Sequence, residues 1–163
     1  MYDQTIPRLD HALKALSGIL TKAEIHCETG KIDPSVLTSF RLFPDMLPFS
    51  RQVIIACDFA KGCAARLAGI ENPSFADTEI TFAELQARID KTRAFLASVK
   101  PEQLAGAGAR RISIKLGGQD MEFSGDDYYA GIVVPNVLFH ITTAYNILRH
   151  NGVVLGKADF MGR

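Results

Sequence analysis

Apolar residues recur along most of this chain at alternating intervals of three and four, the spacing that lines one face of an α-helix. In the first segment Ile6, Leu9, Leu13, Leu16 and Leu20 form such a seam. It predicts a helix from about residue 4 to residue 26, with Pro7 in the first turn, where the amide it lacks would be unpaired anyway. Between Thr29 and Pro48 the pattern lapses. Gly30 and three prolines mark a connection with at most one short turn of helix. A second helix is predicted from about Pro48 to Leu67; its middle is apolar nearly all round, as suits an element buried on several sides. Gly69 and Pro73 stop it. In the third helix Thr81 and Glu84 match a capping box, in which each side chain satisfies the other's free backbone amide. Phe82, Leu85, Ile89, Thr92, Leu96 and Val99 then carry the seam, and Pro101 closes it.

The period changes at Arg111. Ile112, Ile114 and Leu116 alternate with Ser113 and Lys115, and Met121 and Phe123 follow Gly117-Gly118, the signature of a short β-hairpin. A fourth helix opens near Ser124–Asp127, with Asp126 and Asp127 as helix-start residues, and ends at Arg149-His150-Asn151-Gly152. Pro135 falls inside it and predicts a kink or break one turn earlier. Four amphipathic helices with a small β insert make an all-α fold, a four-helix bundle, in one domain spanning residues 1–163. The tail from Val153 to Arg163 either folds back over the bundle's end or crosses to a partner chain.

Composition narrows the function classes. Apolar residues at 47% and charged residues at 22% fit a globular chain and exclude a disordered one. Eighteen basic and eighteen acidic side chains cancel, which leaves no electrostatic reason to seek nucleic acid or an anionic membrane. Cys27, Cys57 and Cys63 are odd in number and form no CxxC, against a disulfide framework. The N-terminus is not a signal peptide, and the apolar runs read as shorter than the ~20 residues a bilayer span needs. The expectation is a soluble, cytoplasmic protein. Motifs for dinucleotides, phosphate loops, zinc proteases and nucleophilic serines are missing.

His140 is the foremost chemical candidate, in NVLFHITTAYNIL between Phe139 and Ile141. It reads as a metal ligand or general base facing a bundle pocket, or, the favoured alternative, as a core histidine bonded to a backbone carbonyl or hydroxyl. A metal needs about three protein ligands, yet Thr143 and Ala144 stand at the next helical positions and Tyr145 is the nearest useful oxygen. Asp58, a carboxylate between Cys57 and Phe59, must be paired. It either lines the same pocket or, as favoured, anchors to Lys61 or to an Arg or Tyr on a neighbouring helix. Gln52 joins the pocket or lies on a solvated face. Asp10 and His11 sit beside the first seam, with surface placement the default.

Four stretches carry a resemblance across nearly the whole chain: LFPDMLPFSRQV, ACDFAKGCAARLAGIENPSF, TFAELQARIDKTRAFL and FHITTAYNILRHNGVVLGKADFMG. They resemble the bacterial DUF1993 family, a domain of unknown function grouped with the DinB/YfiT-like metalloenzyme superfamily. The resemblance implies an up-down-down-up four-helix bundle, often a homodimer. In the superfamily a divalent metal is held by one histidine of the second helix and an HxxxH pair on the fourth, and some members transfer or hydrolyse thiol-linked groups. Only His140 matches, as the first of that pair; Ala144 stands four residues on, and Gln52 or Asp58 would have to replace the second-helix histidine. Three expectations follow. The first is a small-molecule binder, without the three-histidine metal site, using His140, Asp58, Tyr145 and Gln52. The second is a metal-dependent hydrolase or thiol transferase with an altered ligand set. The third is a self-associating protein.

Overall fold

The computed structural model describes residues 1–163. Its first helix, α1, spans Tyr2–Gly30 and is longer than the seam alone indicates. Pro7 therefore falls in the second turn, not the first, and leaves the carbonyl of the exposed Asp3 to water. The connection that follows holds one short helix, α2 (Pro34–Thr38), started by Asp33, whose carboxylate accepts from the Ser35 amide at 2.9 Å. α3 spans Phe49–Ala68 and ends on Gly69 at φ 68°, a left-handed conformation that suits glycine. α4 spans Phe82–Ser98, with both halves of the Thr81–Glu84 capping box formed, and all six residues of its seam are buried.

The directions of the helices follow from which residues meet. Asp10 pairs with Arg93 and Ser17 with Gln86, so α1 and α4 are antiparallel. Phe49 packs on Phe82 at the two helix starts and Asp58 meets Arg88 further on, so α3 and α4 are parallel. On the last long helix, Gln52 meets His140 and Arg66 meets Tyr128, so that helix runs against α3. Tyr129 donates to the carbonyl of Gln4, which sets it alongside α1 in the same direction. The result is an up-down-down-up bundle around one core.

The hairpin forms as β1 (Arg111–Leu116) and β2 (Gln119–Ser124), antiparallel, with Leu116 opposite Gln119. Gly117 and Gly118 both take positive φ, 57° and 84°, as a two-residue turn that follows strand twist demands. The alternation of Ile112, Ile114 and Leu116 points to one apolar face, but only Ile112 is buried outright and Leu116 is exposed. The hairpin is anchored at its base and its tip overhangs the bundle.

From Gly125 the chain is helical to His150. It comprises α5 (Gly125–Asp127), a wide π-helical turn over Tyr128–Val133, and α6 (Val134–His150). The break expected before Pro135 is that wide turn. Proline has no amide to give and its ring crowds the carbonyl four residues back, and an extra residue in the turn relieves both. The Asn136 side chain caps the Ile132 carbonyl there at 2.7 Å. Residues 128–148 contain no charged side chain, and the 26-residue helix is long and apolar enough to cross a membrane. This corrects the expectation of shorter apolar runs. Here Val137, Ile141, Ala144, Ile147 and Leu148 are buried in the bundle instead.

The tail folds back on its own chain. α7 (Lys157–Phe160) packs on α1: Lys22 pairs with Asp159, the His11 ring shares a 2.9 Å hydrogen bond with the Met161 carbonyl, and Phe160 lies edge-on to Tyr145.

Because α3 and α4 are parallel, residues 69–81 must travel back along the bundle without regular structure. Arg88, with a side chain only 1% exposed, clamps this crossover. It donates to Asp58 (2.8 Å), Asp77 (3.0 Å), Glu79 (2.9 Å) and the Ala76 carbonyl (2.9 Å). Burial alone opposes its charge, but Glu79 and Asp58 outweigh that and raise its pKa. Lys61, also buried, donates to the Pro73 carbonyl at 2.7 Å, and Phe75 lies under Lys61 and Lys91 at 4.2 and 4.0 Å. Replacing Arg88 by Met takes from the half-buried Glu79 its one ion-pair partner, leaves Asp58 to Lys61 and Asp77 to Arg51, and frees the crossover, an expected loss of about 3 kcal/mol. Asp77→Asn removes one half-exposed partner and costs under about 1 kcal/mol. Urea denaturation of the two variants measures both, and equal small losses would show that the clamp is not what holds the crossover.

Candidate functional site

Gln52 and His140 meet across the α3–α6 interface, with Gln52 Oε1 at 2.7 Å from His140 Nδ1. Gln52 is buried, not on a solvated face, because α3 presents nearly every side of its first turns to other elements. Its orientation is fixed from behind: the side-chain amide donates to the Leu47 carbonyl at 2.9 Å, so its oxygen faces the imidazole. His140 Nδ1 must then be the donor, which leaves Nε2 as the acceptor nitrogen. The histidine's partner is thus a side-chain amide, where a backbone carbonyl or a hydroxyl was expected. Arg88 Nε is the one fully buried side-chain nitrogen or oxygen without a partner, so the unbonded Nε2 of His140 keeps contact with solvent. Burial lowers the pKa of His140 and keeps the ring neutral.

Two aromatic rings frame this imidazole. Phe59, two turns along α3 from Gln52 and so on the same face, stacks on it at 6.2 Å, and Phe139 stands edge-on at 5.2 Å. Phe59 also lines a cleft of about 470 Å³ between α3, the crossover and the hairpin tip. Asp58 opens onto the same cleft while its carboxylate is anchored by Arg88 and by Lys61 at 3.2 Å. The anchor reading of Asp58 holds, but the cleft it opens onto is not a pocket shared with His140: none of His140, Gln52 and Tyr145 lines it. Tyr145 lies apart: five residues on from His140 it faces another side of α6 and packs against Phe160 of the tail. Of the four candidate residues, the fold brings Gln52 and His140 into direct contact, turns Asp58 to Arg88 and Lys61 in the wall of the cleft, and separates Tyr145.

The remaining lining of the cleft was not legible in the helical seams. Arg66, Asn72, Ser74, Phe75, Lys115, Leu116 and Tyr128 come from a helix flank, an irregular crossover and a hairpin tip, none of which has a periodicity to read. The one available signal was the exposed half of the hairpin's apolar face.

The donors present do not make a three-ligand metal centre. No three His, Cys, Asp or Glu side chains stand close enough to share an ion. Asp58 is committed to Arg88 and Lys61, and Gln52 Oε1 to His140. Cys57 and Cys63 are fully buried, and burial pushes each thiol up to about 12, far from the thiolate that would bind a metal or attack a substrate.

An up-down-down-up bundle of this kind is a DinB-like bundle. A crystal structure of a DinB family member protein from Shewanella denitrificans superposes with a TM-score of 0.93 at 41% identity, over 99% of this chain and 92% of that one. The chain belongs to the DUF1993 family, a domain of unknown function, whose model matches residues 1–161. No curated protein matches it.

The lowered pKa of His140 makes stability depend on pH. Unfolded, the ring protonates near the ordinary value of about 6.5; folded, it does so only at lower pH. Between the two the unfolded chain binds more protons, so this contribution is intact above the ordinary value and is lost as pH falls toward the folded one. Urea midpoints measured from about pH 8 to 5 are expected to fall more steeply for the wild type than for His140→Gln. Parallel curves would mean that the imidazole is not desolvated.

Proposed function

We propose that this protein binds a small molecule in the cleft between α3, the crossover and the hairpin, and does so without a metal. The observation that carries this reading is the cleft itself. Its volume of about 470 Å³ lies in the range of small-ligand sites. It is walled by Phe59, Phe75, Ile114 and Leu116 and carries charged and hydroxyl groups at its margins. The His140–Gln52 pair supports it by holding Phe59, and the amphipathic lining matches an amphipathic ligand. A fragment library titrated into isotopically labelled protein tests this: hits are expected to shift the amides of Asp58, Phe59, Phe75 and Leu116. Hits confined to other surfaces, or none, would sink it.

A metal-dependent hydrolase or thiol transferase with altered ligands is the reading that Gln52, within reach of His140, keeps in play. Plasma mass spectrometry on untagged protein beside His140→Ala decides between them. We expect no stoichiometric zinc, nickel or manganese. A stoichiometric metal that disappears in the variant would replace the metal-free reading.

Self-association has its own support. Leu138 and Phe139 on α6 are 45% and 57% exposed, and Phe43 and Leu47 on the loop before α3 are 62% and 45% exposed. The Leu47–Gln52–His140 hydrogen bonds join these two segments, so the exposed groups share one end of the bundle. A homodimer burying this end is expected to dissociate in a Phe43→Lys, Phe139→Lys double variant, read by sedimentation velocity. A wild type that sediments as a monomer at every concentration would dispose of it.

A further inference from the structure

The charges around the cleft are not evenly matched. Asp58 is neutralised by Arg88 and Lys61, and Asp77 by Arg51 and Arg88. Arg66 and Lys115, which line the same cleft, form no salt bridge, and only Asp120, opposite Lys115 in the hairpin, offers the latter a carboxylate nearby. The surplus is positive, and at Arg66 it is held in place. The Arg66 guanidinium lies over Gly62, where a Cβ would collide with it, and the Asn72 side-chain amide nitrogen stands beside the same spot. Its Nη1 donates to the Tyr128 hydroxyl at 3.1 Å. Tyr128 is 1% exposed, and burial pushes its phenol up, so it remains a hydroxyl. Since that oxygen already accepts from Arg66, its own hydrogen is left to donate, and no acceptor in the protein takes it.

Arg66, Tyr128 and Asn72 therefore gather unused donors at one end of the cleft, with Lys115 reaching over from the hairpin tip. A flat guanidinium fork beside a second donor is the geometry that fits a carboxylate. Asp58, eight residues earlier on α3 and so about 12 Å away along the helix, marks the other end, where its charge is already paired. Between them lie the rings of Phe59 and Phe75. We propose that the cleft takes a small organic carboxylate with an apolar body, its charge seated on Arg66, Tyr128 and Asn72 and its body against Phe59 and Phe75. This rests on the reading of the cleft as a ligand site and adds the ligand's charge and its direction.

The test compares phenylpropanoate with its uncharged amide, phenylpropanamide, by NMR titration of the labelled full chain. The carboxylate is expected to shift the amides of Arg66, Asn72, Lys115 and Tyr128, and to bind about tenfold more tightly than the amide, the difference one good charged contact makes. Arg66→Gln is expected to bring the carboxylate down to the affinity of the amide while leaving the amide unchanged. Lys115→Gln, on the exposed hairpin and harmless to the bundle, is expected to weaken the carboxylate several-fold and to flatten its salt dependence. Equal binding of the two probes in the cleft would overturn the charge assignment and leave the ligand site standing. Shifts elsewhere, or none with either probe, would overturn the assignment too, and the fragment titration then says whether the site falls with it.

Discussion

The parallel pairing of α3 and α4 forces thirteen residues, 69–81, to return along a helix of twenty residues. Such a helix is about 30 Å long, and that many residues reach only about 45 Å when fully drawn out. Little chain is left over to form structure of its own. The backbone groups of the crossover must therefore find partners outside it. Arg88 and Lys61 supply them, taking the Ala76 and Pro73 carbonyls, while Glu84 accepts from the amides of Ile80 and Thr81 at the entry to α4. A buried guanidinium is unfavourable unless surrounded by acceptors. Asp58, Asp77 and Glu79 surround this one, leaving only Nε unpaired.

The same clamp builds the cleft. Asp58, Lys61, Phe75 and Asp77 are both members of the clamp and walls of the space beside it. A crossover packed flat against α3 would leave no cleft, and an unanchored one would leave no walls. Because the clamp already neutralises the acidic side chains, the field inside the cleft is set by the two cations it does not engage, Arg66 and Lys115. Arg88 thus holds the walls of the cleft, while Arg66, two turns along α3 from Asp58, lines it from outside the clamp.

The helices were legible because burial imposes a period. Every seam residue of α4 is buried, and the capping box that starts it is formed. Asp58 on an apolar helix announced that a partner existed, yet Arg88 could not be picked from the other basic residues, since it is placed by a loop that has no pattern. Gln52 stayed open between pocket and solvated face because one amide in an apolar helix is compatible with either; only the Leu47 carbonyl and the His140 ring decide it. The uncharged run from 128 to 148 was obscured by Pro135, which reads as a break although the helix continues through a wide turn. The alternation that predicted the hairpin could not say how much of its apolar face the bundle would cover.

What became of the histidine is clearest in the hydrogen bonds. A ring that binds a metal through one nitrogen gains from an acceptor at the other, and carboxylates or carbonyls usually fill that place. Gln52 fills it here at 2.7 Å and is itself pinned by Leu47. The amide stays neutral at any pH, so it orients the imidazole without adding charge to draw a cation. A metal bound at Nε2 would find no second anionic side chain free to join it, because Asp58 is held by the clamp. The arrangement suits a rigid polar strut between α3 and α6 that presents Phe59 to the cleft. His140 thereby fixes one wall of the cleft without lining it itself.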